Sequence, residues 1–142
     1  MTTSLERTIP HNTDAEKSVL GAILVNNDYY YRTIEKIRAE DFYLETHRVI
    51  FRQMMDLFDR SKAIDLITLQ EDLVRAAKLE NAGGITYLAS LMDGIPHLVN
   101  IDHYIEFISE HSLLRQLINS TNKIMAECFD QSEPADQILD QP

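Results

Sequence analysis

Three pairs of acids stand close together in this sequence: Asp14 with Glu16, Glu40 with Asp41, and Glu71 with Asp72. Two neighbouring carboxylates can divide general acid and base work, because repulsion and unequal burial push their pKa values apart. Each pair, however, falls at the first turn of a predicted helix or on its approach, where a carboxylate complements the positive end of the helix dipole. That role accounts for them without a reaction. A small enzyme built on such a pair would have to show turnover that vanishes on replacing Glu71.

Metal chemistry has little footing. His97, His103 and His111 are spaced by six and eight residues, which does not place pairs on one helical face as an i, i+4 spacing does, and Cys128 stands alone. Solvated or capping histidines are the reading adopted, with no metal site. Nor does any G-x-x-x-x-G-K-[S/T] or G-x-G-x-x-G stretch occur to cradle phosphates. The chain therefore carries no catalytic and no cofactor-binding residues of its own. Phe42, Tyr43, Phe51, Phe58 and Tyr87 read as core aromatics, because a base-stacking platform needs basic neighbours that they lack.

Composition narrows the classes further. In 142 residues of 44% apolar content there is room for one core. Four Gly and four Pro leave few breakers, which favours helices over a turn-rich sandwich. The formal charge is −10, from 23 acids against 13 bases, and Lys and Arg are scattered among acids. Such a surface disfavours direct DNA binding, which needs clustered cations. One cysteine fits a reducing compartment, and neither a leader pattern nor a stretch of roughly 20 apolar residues is present, so a cytoplasmic, non-membrane protein is expected.

The elements follow from periodicity and caps. Residues 1–12 read as a flexible tail. Thr13-Asp14-Ala15-Glu16 has capping-box spacing, and Ala15, Val19, Leu20, Ile23 and Leu24 line one helical face up to Asn26-Asn27. Tyr30, Ile34 and Ile37 predict a helix over 28–37. Glu40 to Tyr43 form a turn anchored by an aromatic, and Glu45 to Arg60 form a helix with Ile50, Phe51, Met54, Leu57 and Phe58 inward. Thr68-Leu69-Gln70-Glu71 repeats the box and opens a helix through Lys78. Gly83-Gly84 then allows a sharp reversal before a short helix over 85–92, which Gly94 and Pro96 close.

From Asn100 to Asp130 there is neither Gly nor Pro. At 1.5 Å per residue this helix spans about 45 Å, more than the ~35 Å across a domain of this size, so part of it is expected to project. Leu113, Leu114, Leu117, Ile118, Thr121 and Met125 would leave that part apolar over a broad arc, the mark of a self-association surface. Ser132-Glu133-Pro134 starts a second arm, cut short at Pro142 as in a fragment. The expected fold is all-α: a compact six-helix head over 13–112, with the last long helix projecting as the first arm of a helical hairpin over 113–142.

Several short motifs then occur in register. Pro10-x-Asn12-x-x-Ala15-Glu16-x-Ser18-Val19-Leu20-Gly21-Ala22, Asp41-Phe42-Tyr43, His47-Arg48-x-Ile50-Phe51, Ile64-Asp65-Leu66-Ile67-Thr68-Leu69, Gly83-Gly84-Ile85-x-Tyr87-Leu88 and Ser112-Leu113-Leu114-Arg115 together resemble the N-terminal domain of DnaB-type replicative helicases, from about Pro10 to Phe129. The resemblance implies pairing of hairpins into dimers, and three dimers in the collar of a hexameric ring. It also implies docking of a DnaG-type primase at Tyr87, Ile118 and Ile124, with a helicase loader as a further partner. ATP, Mg and DNA would be handled by a motor domain following Pro142. The run Tyr29 to Tyr31 is more aromatic than the family pattern. The alternative is the helicase-binding C-terminal domain of a primase, which is thought to share this fold; the Met1 start argues against it.

Overall fold

The computed structural model describes residues 8–95 and 100–140. Among them the chain is helical throughout, without a strand: α1 (Thr13–Val25), α2 (Asp28–Ile34), a 3-10 turn (Ala39–Asp41), α3 (Glu45–Asp59), α4 (Leu66–Arg75), α5 (Gly84–Ser90), α6 (Ile101–Asp130) and α7 (Ala135–Leu139). Two compact units result. One spans His11–Ser112; the other is described over residues 8–10 and 113–140. Of the predicted tail at residues 1–12, residues 1–7 lie outside the described residues, as do Pro96 and His97.

In the first unit α3 is the spine. Its period of apolar residues buries Ile50, Phe51, Met54 and Leu57, while Phe58 is only partly covered. The 3-10 turn, α1 and α4 pack on α3, α2 packs on α1, and α5 on α4. Phe42 lies against Phe51 at 5.1 Å, and the Tyr30 ring lies 4.5 Å from that of Phe58. Ile101, Ile105 and Ile108 of α6 complete this core. Each fully buried aliphatic or aromatic side chain contributes roughly 1.5–3 kcal/mol over exposure. Gly21 marks a close approach, because a Cβ there would overlap the Leu91 carbonyl oxygen.

Several starts and stops differ from expectation. The cap of α1 is Asn12, whose Oδ1 accepts from the Ala15 amide; Thr13 is already helical, and Glu16 turns to other partners. Asn is as good a cap as Thr, and taking it frees Glu16 for the interior. In α4 the box is built by Asp65 with Thr68, so the helix begins at Leu66 rather than after Thr68. It also ends early, at Arg75, where Ala77 takes φ 58 and the Lys78 amide donates to the Leu73 carbonyl. This six-to-one closure ends helices in general, and here it is made without glycine. Ser61 after α3 and Gln131 after α6 are likewise left-handed.

The second helix stops at Ile34, so the predicted face is only partly right: Tyr30 and Ile37 are buried, Ile34 is 41% exposed, and Thr33 takes the inward place. The short helix α5 runs from Gly84 to Ser90, somewhat shorter than predicted. Asn27 does not cap α2 with its side chain. Its amide donates to the Ile23 and Ile64 carbonyls and accepts from the Ile64 amide, tying the α1–α2 corner to the segment entering α4.

Two of the acids taken as helix-dipole partners are interior residues instead. Asp72 lies beyond the first turn of α4 and is 6% exposed, paired with Arg60 from the end of α3 and with Arg75. Glu16 is 1% exposed. Sequence distance hid Arg60 and His47: a buried carboxylate needs cations or N–H donors around it, and beside Arg75 of its own helix Asp72 takes one from the end of α3, while Glu16 takes His47 from α3.

Candidate interaction surfaces

The first candidate, Tyr87, sits on α5. Gly83 and Gly84, at φ 96 and 86, make the left-handed entry to this short helix. A Cβ on Gly83 would stand 2.7 Å from the Tyr87 ring, so glycine there also leaves the ring its place. Tyr87 is half-buried, with the Lys17 ammonium 5.8 Å from its ring centre. Its hydroxyl is 2.5 Å from Nε2 of His47 in the first turn of α3, and Nδ1 of His47 is 2.7 Å from Oε1 of Glu16 on α1. The other Glu16 oxygen accepts from the Tyr43 amide at 2.6 Å, just ahead of α3.

A carboxylate that accepts an amide proton offers only acceptors, so Nδ1 of His47 carries the hydrogen; in the neutral imidazole Nε2 then accepts from the Tyr87 hydroxyl. The order phenol, imidazole, carboxylate is that of a nucleophile, its base and an orienting acid. Its electrostatics run against catalysis. Burial first, and the Glu16 carboxylate second, push the Tyr87 phenol above its ordinary value, which disfavours phenolate at neutral pH. The side chains of His47 and Glu16 are 0% and 2% exposed. The arrangement ties the Tyr87 hydroxyl through His47 to Glu16.

The second unit carries the remaining candidates. Leu113, Leu114, Leu117, Ile118, Thr121, Ile124 and Met125 are all exposed on α6. At 100° per residue they fall within an arc of about 140°. Ile118 lies at one edge of that arc, beside Met125, and Ile124 lies between Leu113 and Leu117. Two docking candidates thus share a face with the self-association candidates, whereas Tyr87 belongs to the other unit. The Thr121 hydroxyl donates to the Leu117 carbonyl, leaving its methyl to the stripe. Phe129, 79% exposed, extends the arc beyond Met125, the last residue of the expected surface. In the same unit Arg115 donates to the Pro10 carbonyl.

Sequence reasoning also missed His47 and Glu16, although a signal existed. Glu16 falls in register with Val19, Leu20 and Ile23, and His47 with Ile50, Phe51 and Met54, so both polar residues occupy core-facing positions. Of the three histidines singled out instead, His103 and His111 both lie on α6 near Phe107; the His103 ring meets the Phe107 ring and His111 Nδ1 donates to the Phe107 carbonyl. Among the described residues no group of three or more His, Cys, Asp or Glu is placed to hold a metal, and no helix is long and apolar enough to cross a membrane.

The family model described as the DnaB-like helicase N terminal domain matches residues 8–110. The chain belongs to that family. The replicative DNA helicase DnaB of Geobacillus stearothermophilus is 33% identical over 136 residues, which cover 96% of this chain and 30% of that protein. The chain thus spans about a third of the length of this relative. The crystal structure of the N-terminal domain of DnaB helicase from Mycobacterium tuberculosis superposes with a TM-score of 0.87 at 29% identity, covering 94% of each chain. A structure of a DnaB-like replicative helicase and its interactions with primase shares the fold, with a TM-score of 0.75 at 23% identity over 90% of this chain and 30% of that one. The DnaB-like helicase N-terminal domain in hand therefore has the all-α fold expected from its periodicity, and its Glu16, His47 and Tyr87 all lie in the matched segment.

Proposed function

We propose that this chain is the assembly and partner-docking domain of a replicative helicase. The observation that carries the reading is the exposed apolar face of α6, from Leu113 to Phe129. A contiguous exposed apolar face of this kind marks a surface for a partner. A second copy supplies the complementary helix by antiparallel packing, and three such dimers close a ring. Tyr87, Ile118 and Ile124 form the docking residues for primase, the partner named for the helicase structure that shares this fold. A helicase loader would meet the same domain. ATP hydrolysis, Mg binding and movement along DNA belong to the motor portion of a longer protein, in keeping with the −10 charge of this part.

Light scattering across a concentration series tests this, with an equimolar helicase-binding C-terminal domain of the cognate primase added in a second series. A dimer or hexamer mass, and a heavier species with primase, are the expected results. A monomer at every concentration that ignores primase would overturn both parts.

A further inference from the structure

His47 has no exposure, yet it joins two groups that an apolar core would not need joined. A buried Glu–His–Tyr chain is weak support for stability as such, because apolar side chains of similar volume serve a core at least as well. Its geometry is a better guide to its use. One end is anchored hard: Glu16 on α1 accepts from the Tyr43 amide and from His47, fixing the imidazole plane. The other end is Tyr87, on a helix of only seven residues entered through two left-handed glycines. Tyr87 is only partly buried against the core there. His47 supplies what α5 lacks, a 2.5 Å bond to the hydroxyl, with its ring plane within 15° of that of Tyr87.

We propose that His47 is a positioning residue for the docking surface: oriented by Glu16, it locks the Tyr87 ring in the direction a partner meets. This rests on the docking role of Tyr87 proposed above. Preorganising an aromatic anchor strengthens binding because the rotamer entropy is lost before the partner arrives.

The test uses the full chain with the cognate primase C-terminal domain and three variants: Tyr87→Phe, His47→Leu and the double substitution. Tyr87→Phe removes one oxygen from a half-buried ring and is the variant least able to disturb folding. Each single change should weaken binding by about tenfold, the scale of one hydrogen bond, and the double change by no more than either alone. Additive losses, or unchanged binding by Tyr87→Phe, would overturn the proposal. NMR of the free chain gives a second readout that a purely structural role would not move. Side-chain couplings and NOEs of residue 87 should report a single χ1 rotamer in the wild type and averaging in both single variants; equal averaging in the wild type would refute the lock. If the wild-type chain binds no primase, the docking reading fails, and the rotamer measurement alone decides whether His47 holds Tyr87.

Discussion

At the residue scale the interior of this domain is organised by a few polar side chains among aliphatic ones. Glu16, His47 and Asp72 each stand at a core-facing position of their helix, and each is satisfied by partners from another helix. Tyr30 is the contrast. Its ring is 1% exposed, but its hydroxyl is buried without a hydrogen-bond partner among the described residues. An orphaned polar group costs on the order of 1–3 kcal/mol, so Tyr30→Phe should raise stability at neutral pH by about 1 kcal/mol, read from urea melts. The same change should alter the alkaline limb. Burial, and then the charge of Asp59, push the Tyr30 phenol up to about 12 from an ordinary 10.0. A folded value above the unfolded one gives stability that is complete below pH 10 and lost as pH rises through about 12. Without the phenol that component of the loss should disappear; an unchanged pH profile would show that folding does not raise the Tyr30 phenol above its ordinary value.

At the scale of elements, helix interiors were readable and helix ends were not. The inward faces of α1 and α3 follow from their i, i+3, i+4 spacing, and Gly83-Gly84 takes the positive φ that its reversal required. Caps were misplaced because Asn12 and Asp65 compete with Thr13 and Thr68 for the same role, and the chain takes whichever lets the neighbouring residues reach the core. The end of α4 was illegible for another reason: Ala77 adopts φ 58 with no glycine to announce it. The left-handed conformation costs a residue with a Cβ about 1–2 kcal/mol, partly offset by the greater unfolded freedom of glycine. Ala77→Gly should therefore stabilise the domain by a few tenths to about 1 kcal/mol, seen as a rise in Tm. Destabilisation would mean that the closure of α4 is not the strained one described.

At the scale of the whole molecule, the core that α6 completes is supplied before its midpoint, by Ile101, Ile105, Ile108 and Ser112. The Ser112 hydroxyl donates to Asp41 at the 3-10 turn, within the first unit. Shortening the chain to end at Leu114 should thus leave a domain that still unfolds cooperatively. It should also be monomeric at concentrations where the full chain associates, by light scattering and circular dichroism. Loss of cooperative unfolding would show that the first unit depends on residues beyond Leu114.

What the sequence by itself determined was the helical class, the run of helices with their apolar faces, the long uninterrupted α6, and the family through its motif series. These depend on local spacing, breakers and composition, which are properties of neighbouring residues. Only the tertiary structure decided where the polar residues went. Glu16, His47 and Tyr87 come from three helices, and Asp72 finds one of its two arginines, Arg60, at the end of another. Such pairings are set by the packing of one element on the next, where a buried charge takes the nearest donor in space whatever its distance along the chain.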